Sequence, residues 1–136
     1  MPRRILIDAG PLIALFDRDD ADHEWTREFL AGYRGRLVTS WAVVTEALYM
    51  LDFNLQAQLD FLEWLRREAL VIPPFTKAHL TRVIELMRKY ADVPMDFADA
   101  TLMVLAESEE VMEILTLDSD FDIYRTQKGE ALKKVW

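Results

Sequence analysis

Arg4-Ile5-Leu6-Ile7-Asp8-Ala9-Gly10-Pro11-Leu12-Ile13-Ala14-Leu15-Phe16 decides the architecture. Ile5, Leu6 and Ile7 form an apolar run without alternation, the pattern of a strand buried on both faces inside a parallel sheet. Gly10-Pro11 is expected to end that strand, and Leu12 to Phe16 to form a first helix. Asp8 then stands at the strand's carboxyl end, where open parallel sheets bind ligands near the point at which strand order reverses.

The same alternation continues along the chain. Asp22 to Tyr33 reads as an exposed helix with Trp25, Phe29 and Leu30 inward, and Arg36 to Thr39 as a second strand. Ser40 is placed to cap a helix through Leu51, and Asn54 to cap another in which Leu55, Leu59, Leu62 and Leu65 keep a helical period. Leu70 to Ile72 is a short strand closed by Pro73-Pro74. Thr76 caps a helix with Leu80, Val83, Ile84 and Met87 expected inward, and Val93-Pro94 breaks it. Asp96 to Ala106 is apolar almost all round, hence a deeply buried helix. Glu113 to Leu117 is a strand with Asp118 at its end, and a last strand is expected near Leu132 to Trp136. The fold class is α/β, a three-layer α/β/α sandwich around a central, mostly parallel sheet. It is expected to form a single domain over residues 1–136.

Composition narrows the function. A chain of 136 residues can bury roughly two-thirds of its unfolded surface, and it has no Cys to staple it, which fits a reducing compartment. The N-terminal Met-Pro-Arg-Arg runs straight into strand pattern without a signal-peptide core, and no apolar run is long enough to span a bilayer. The expectation is a soluble, cytoplasmic protein with no membrane association. A formal charge of −8 opposes broad, sequence-independent nucleic-acid binding, because phosphate contacts come from Lys and Arg. Small basic groups such as Arg3/Arg4, Arg66/Arg67 and Lys133/Lys134 read as solvated faces.

Four acids carry the chemistry: Asp8, Glu46, Asp99 and Asp118. No Lys or Arg occurs between Leu37 and Leu65 or between Tyr90 and Tyr124, the two stretches that hold Glu46, Asp99 and Asp118. An ionised carboxylate removed from water needs an opposite charge, hydrogen-bond donors or a metal. If the four converge, a divalent cation is the simplest partner, and oxygen ligands without His or Cys select Mg²⁺ or Mn²⁺ over Zn²⁺. These four acids account for half of the net charge, and two Mg²⁺ would formally cancel it. Singly each acid also suits a structural role. Asp8 before Gly-Pro and Asp118 in Asp-Ser-Asp can open turns, Asp96 is a helix N-cap, and Asp99 favours the helix dipole from the first turn. Glu46 is the hardest to explain that way, because a lone acid is rarely tolerated in an apolar helix.

Four motifs in order cover nearly the whole chain: Ile-Leu-Ile-Asp-Ala-Gly-Pro-Leu-Ile-Ala, Ser-Trp-Ala-Val-Val-Thr-Glu-Ala, Asp-Phe-Ala-Asp-Ala-Thr-Leu and Leu-Thr-Leu-Asp-Ser-Asp-Phe. Together they resemble a PIN-domain nuclease of the VapC-type toxin class. The resemblance implies a PIN-like sandwich with Asp8, Glu46, Asp99 and Asp118 as its acidic, metal-holding quartet. Asp96, Thr116 and Asp120 take supporting roles. It further implies a Mg²⁺- or Mn²⁺-dependent endoribonuclease acting on RNA, a homodimer, and a small antitoxin protein whose tail enters the catalytic groove. Ala9-Gly10 departs from the pattern, since many relatives follow the first Asp with a hydroxyl residue.

Two rival readings start from the same acids. A phosphatase or receiver domain would use a strand-end Asp as phosphoryl acceptor, but would want a Lys near the later strands. A PIN fold without catalysis would serve as a binding module, yet an inert scaffold has no use for unneutralised acids at one edge. Arg18, Arg125 and Lys128 follow the two strand ends closely and are expected on a basic rim. His23 and His79 fall on polar helix positions and are expected at the surface. Phe61 and Trp64 supply apolar helix surface that a homodimer would bury, with core packing the equal alternative.

Overall fold

The computed structural model describes residues 2–136. Five strands, β1 (Arg4–Ile7), β2 (Arg36–Val38), β3 (Leu70–Val71), β4 (Glu113–Leu115) and β5 (Lys133–Lys134), form one sheet in the order β3-β2-β1-β4-β5. All four pairings are parallel, so the mostly parallel sheet expected is wholly parallel. β1 is central and its Ile5, Leu6 and Ile7 are fully buried.

Six helices connect the strands: α1 (Ala9–Phe16), α2 (His23–Gly32), α3 (Trp41–Met50), α4 (Leu55–Arg66), α5 (Leu80–Lys89) and α6 (Phe97–Glu109). The path β1 to β2 to β3 steps one way across the sheet, and β3 to β4 steps back over β2 and β1. Right-handed crossovers therefore put α1 to α4 on one face and α5 and α6 on the other. α3 and α6 meet beyond the strand ends, where Ser40 Oγ lies 2.8 Å from Thr101 Oγ1. Strand order reverses between β1 and β4, and the ends of these two strands open onto the space that α3 and α6 flank.

Several boundaries differ from the sequence reading. Gly10-Pro11 lies inside α1, which begins at Ala9 with Asp8 as its N-cap. Pro11 costs nothing there, because the first N–H groups of a helix have no intrahelical partner. β4 stops at Leu115, so Asp118 stands three residues past its end rather than on it. Thr76 caps a 3-10 turn (Lys77–His79) that leads into α5.

The buried stripes of two helices also differ. α4 buries Ala57 and Phe61 and leaves Leu55, Leu59 and Leu62 exposed. Phe61 stacks on Phe16 at 5.2 Å, and Trp64 meets the same ring edge-on, so both aromatics belong to the chain's own core rather than to a dimer surface. α5 buries Val83 and Leu86, with Tyr90 one turn on, while Leu80, Ile84 and Met87 face outward. His23 and His79 are half-buried and structural. One His23 ring nitrogen is 2.7 Å from the Ala14 carbonyl, and His79 Nδ1 accepts from Thr76 N–H at 3.0 Å. Among the described residues, no helix is long and apolar enough to cross a membrane.

Phe61→Ala should cost about 3–5 kcal/mol of stability, since it removes a fully buried ring. Leu55→Ala should change stability by no more than about 0.5 kcal/mol. Urea unfolding curves check the pair, and equal costs would overturn this assignment of the α4 faces.

Candidate metal centre

The register of the central strands builds the site. Leu6 pairs with Ile114 and Ile7 with Leu115, so one residue further along Asp8 comes level with Thr116. The Thr116 hydroxyl donates to Asp8 Oδ2 at 2.8 Å, and Ala9 N–H donates to Asp8 Oδ1 at 2.8 Å. Thr116 Oγ1 also accepts from the Asp118 N–H at 3.0 Å. One buried hydroxyl thus ties the first acid to the backbone of the last. Asp118 caps a 3-10 turn (Ser119–Asp122), its Oδ1 accepting from Asp120 N–H at 2.9 Å.

The third acid arrives on a helix. Asp96 caps α6, its Oδ1 accepting from Asp99 N–H at 2.8 Å, and this sets Asp99 in the first turn. Asp99 Oδ2 accepts from the Tyr124 hydroxyl at 3.1 Å. Asp8, Asp99 and Asp118 each present one carboxylate oxygen, and these atoms lie within 4.8 Å of one another. Glu46 stands outside this triad but lines the same cleft, with Asp8, Gly10, Ile13, Met50, Asp96, Leu117, Asp118 and Ser119. Of the supporting residues, Thr116 and Asp96 act through side chains. Asp120 acts through its backbone N–H, and its side chain is not among those lining the cleft.

Charge is unbalanced throughout. Asp8 is 6% exposed and Asp99 8%, and among the described residues none of Asp8, Glu46, Asp96, Asp99 or Asp118 joins an ion pair. Burial raises the Asp8 carboxyl above its ordinary range, against the hydrogen bonds from Ala9 and Thr116. Burial and then the charges of Asp96, Asp8 and Asp118 push Glu46 up to about 7. Asp99 is also pushed up to about 7, by burial first and by Asp96 and Asp8 next. Tyr124 is raised by burial and by Asp99, which keeps its phenol protonated and donating. The N-termini of α1 and α6 supply partial positive charge, but no full cation.

An all-oxygen donor set of this kind fits a hard divalent cation. Among the described residues, no basic side chain lines the cleft. Arg18, Arg125 and Lys128 lie outside it, and the Arg125 guanidinium donates instead to the carbonyls of Asp122 and Tyr124. The absence of a lining Lys also removes the phosphoryl-acceptor reading. Sequence reasoning missed Tyr124, whose one visible signal is its place six residues after Asp118.

A parallel sandwich with acids gathered at its switch point matches a known class: the family model for the PIN domain matches residues 5–126, and the chain belongs to that family. Ribonuclease VapC26 of Mycobacterium tuberculosis is 31% identical over 116 residues, spanning 84% of this chain and 86% of that protein. The crystal structure of VapC20 from the same organism, a sarcin-ricin loop cleaving toxin, superposes with a TM-score of 0.78 at 20% identity, covering 88% of this chain and 93% of that one. VapBC2 from Rickettsia felis, solved with a DNA fragment from its promoter, gives a TM-score of 0.62 at 14% identity over 97% of each chain. These two structural likenesses carry the fold alone.

The crowded acids dictate a pH dependence. A carboxyl whose pKa is raised by folding makes the native state bind more protons than the unfolded chain, so without metal stability falls as pH rises from about 4 to about 7. Asp99→Asn removes one charge and should be more stable than the parent at pH 7.5 in chelator, by at least about 1 kcal/mol, since each pKa unit of the rise is worth about that much. Near pH 4 that advantage should vanish. A less stable Asn variant at pH 7.5 would show that Asp99 contributes native hydrogen bonds that outweigh the repulsion.

Proposed function

We propose that this chain is a Mg²⁺- or Mn²⁺-dependent endoribonuclease, acting in the cytoplasm as the toxin of a toxin–antitoxin pair. The observation that carries the reading is the gathering of Asp8, Asp99 and Asp118 at a switch point, with no basic partner among the described residues. Membership of the PIN domain family and the likeness to a ribonuclease support it.

In this reading Asp8, Asp99 and Asp118 hold the cation, with Glu46 as the fourth acid across the cleft. A divalent ion held there would supply charge neutralisation at the scissile phosphate and would make water in the cleft more acidic. The chain's own part is preorganisation. Ala9 N–H and Thr116 fix both oxygens of Asp8, Asp120 N–H fixes one oxygen of Asp118, and Tyr124 fixes one of Asp99. Glu46, half-buried and near neutrality in its protonation, is suited to exchange a proton with water in the cleft. Ile13, Met50 and Leu117 give the cleft apolar walls.

The partners follow from the same reading. A small antitoxin protein is the proposed inhibitor, and VapBC2 from Rickettsia felis is a relative in fold known as a pair. A homodimer is proposed too, supported by the outward Leu80, Ile84 and Met87 of α5. Sedimentation showing only monomer at micromolar concentration would rule it out.

Mn²⁺ should raise the melting temperature and chelator should reverse the rise. A ligand that binds only the folded state adds about 2.7 kcal/mol at a hundred times its Kd. Purified protein should cut RNA only with the ion present, and Asp8→Ala should abolish both effects. Cleavage that persists in chelator, or a melting curve indifferent to millimolar Mn²⁺, would refute the proposal.

A further inference from the structure

Tyr124 belongs to no motif in the chain, yet it is a fully buried side chain whose polar atom meets the acidic triad. Its ring is wedged edge-on between Tyr90, at 5.1 Å and 63°, and Phe121, at 5.2 Å and 81°. The Tyr90 hydroxyl accepts the Arg125 N–H at 2.8 Å, which pins the backbone directly after Tyr124. Phe121 sits within the 3-10 turn that Asp118 caps. One short segment therefore carries a cleft acid at its front and, six residues on, the hydroxyl that holds a second acid from another element.

The geometry points to Tyr124 as a positioning residue for the metal centre, fixing the Asp99 carboxylate so that it serves the same ion as Asp118. This rests on the metal-dependent reading proposed above. Two features separate the role from simple satisfaction of a buried acid. Asp99 Oδ2 accepts the phenol, and among the described residues its Oδ1 has no hydrogen-bond partner, so one oxygen is held while the other stays available. The Asp99 backbone N–H is meanwhile bound to Asp96, so main chain and side chain are fixed by different partners. An aspartate with only its backbone held would turn about its side-chain bonds away from Asp8 and Asp118, because like charges repel. The hydroxyl opposes that rotation. Partners that orient a metal-binding carboxylate typically contribute 10- to 100-fold to metal affinity or activity.

Tyr124→Phe keeps the ring and its packing and removes only the hydroxyl. Tyr33→Phe is its control, taking a hydroxyl that bonds only the Arg3 and Arg36 carbonyls, away from the acids. In calorimetric titrations with Mn²⁺, Tyr124→Phe should bind about 10-fold more weakly than wild type, and Tyr33→Phe should bind like wild type even if its melting temperature falls. In RNA cleavage at saturating Mn²⁺, Tyr124→Phe should lower kcat and leave the KM for RNA unchanged. Wild-type Mn²⁺ affinity in Tyr124→Phe, or equal weakening in both variants, would overturn the inference while leaving the nuclease reading intact. Failure of wild type itself to bind Mn²⁺ would overturn both.

Discussion

Mutual repulsion among Asp8, Asp99 and Asp118 is the constraint on which the rest of this structure turns. Three carboxylate oxygens within 4.8 Å of one another, two of them on side chains almost fully shielded from water, raise the free energy of the ionised apo state. Folding tolerates this because each acid is held by donors fixed in the scaffold: Ala9 N–H and the Thr116 hydroxyl, Asp120 N–H, the Tyr124 hydroxyl. These bonds to charged acceptors are stronger than neutral ones, but they leave the net charge in place. The sheet, the helix starts and the aromatic group around Tyr124 work together to keep acids close that would otherwise separate. Such an arrangement leaves negative charge that a bound cation would neutralise.

Topology explains why the acids come from distant parts of the sequence. β1 and β4 are more than a hundred residues apart, yet their pairing places Asp8 level with Thr116. α3 and α6 approach beyond the strand ends and bring Glu46 and Asp99 to the same opening. Three of the acidic side chains, Asp8, Asp96 and Asp118, are also caps of helices or turns. For Asp8 and Asp118, capping therefore does not compete with the proposed ligand role. A cap fixes the side chain's rotation near a helix N-terminus, where the dipole favours a negative charge, and engages only one of the two carboxylate oxygens; in Asp8 the second accepts from Thr116.

The α/β class and the four acids were legible because both rest on strong local signals: apolar runs without alternation, and carboxylates in segments without bases. The start of α1 was not, since Gly10-Pro11 looks like a stop and only the cap geometry of Asp8 makes it a first turn. The inward face of α4 was ambiguous for a different reason. Leu55, Leu59 and Leu62 trace as clean a helical stripe as Ala57, Phe61 and Trp64 do, and periodicity cannot choose between two apolar stripes. α5 likewise turned Ile84 outward and buried Val83 and Leu86 instead. Tyr124 escaped notice because its role depends on a contact across 25 residues, with no spacing rule to announce it. None of Arg18, Arg125 and Lys128 lines the cleft, and for Arg125 the physical reason is visible: nearby carbonyls engage its guanidinium.

Anomalous diffraction from crystals grown with Mn²⁺ would locate the ion itself. A strong peak is expected at coordination distance from carboxylate oxygens of Asp8, Asp99 and Asp118, with the Tyr124 hydroxyl still on Asp99. A cleft without a peak at millimolar Mn²⁺, or an ion bound only to acids elsewhere on the surface, would contradict the metal-dependent reading.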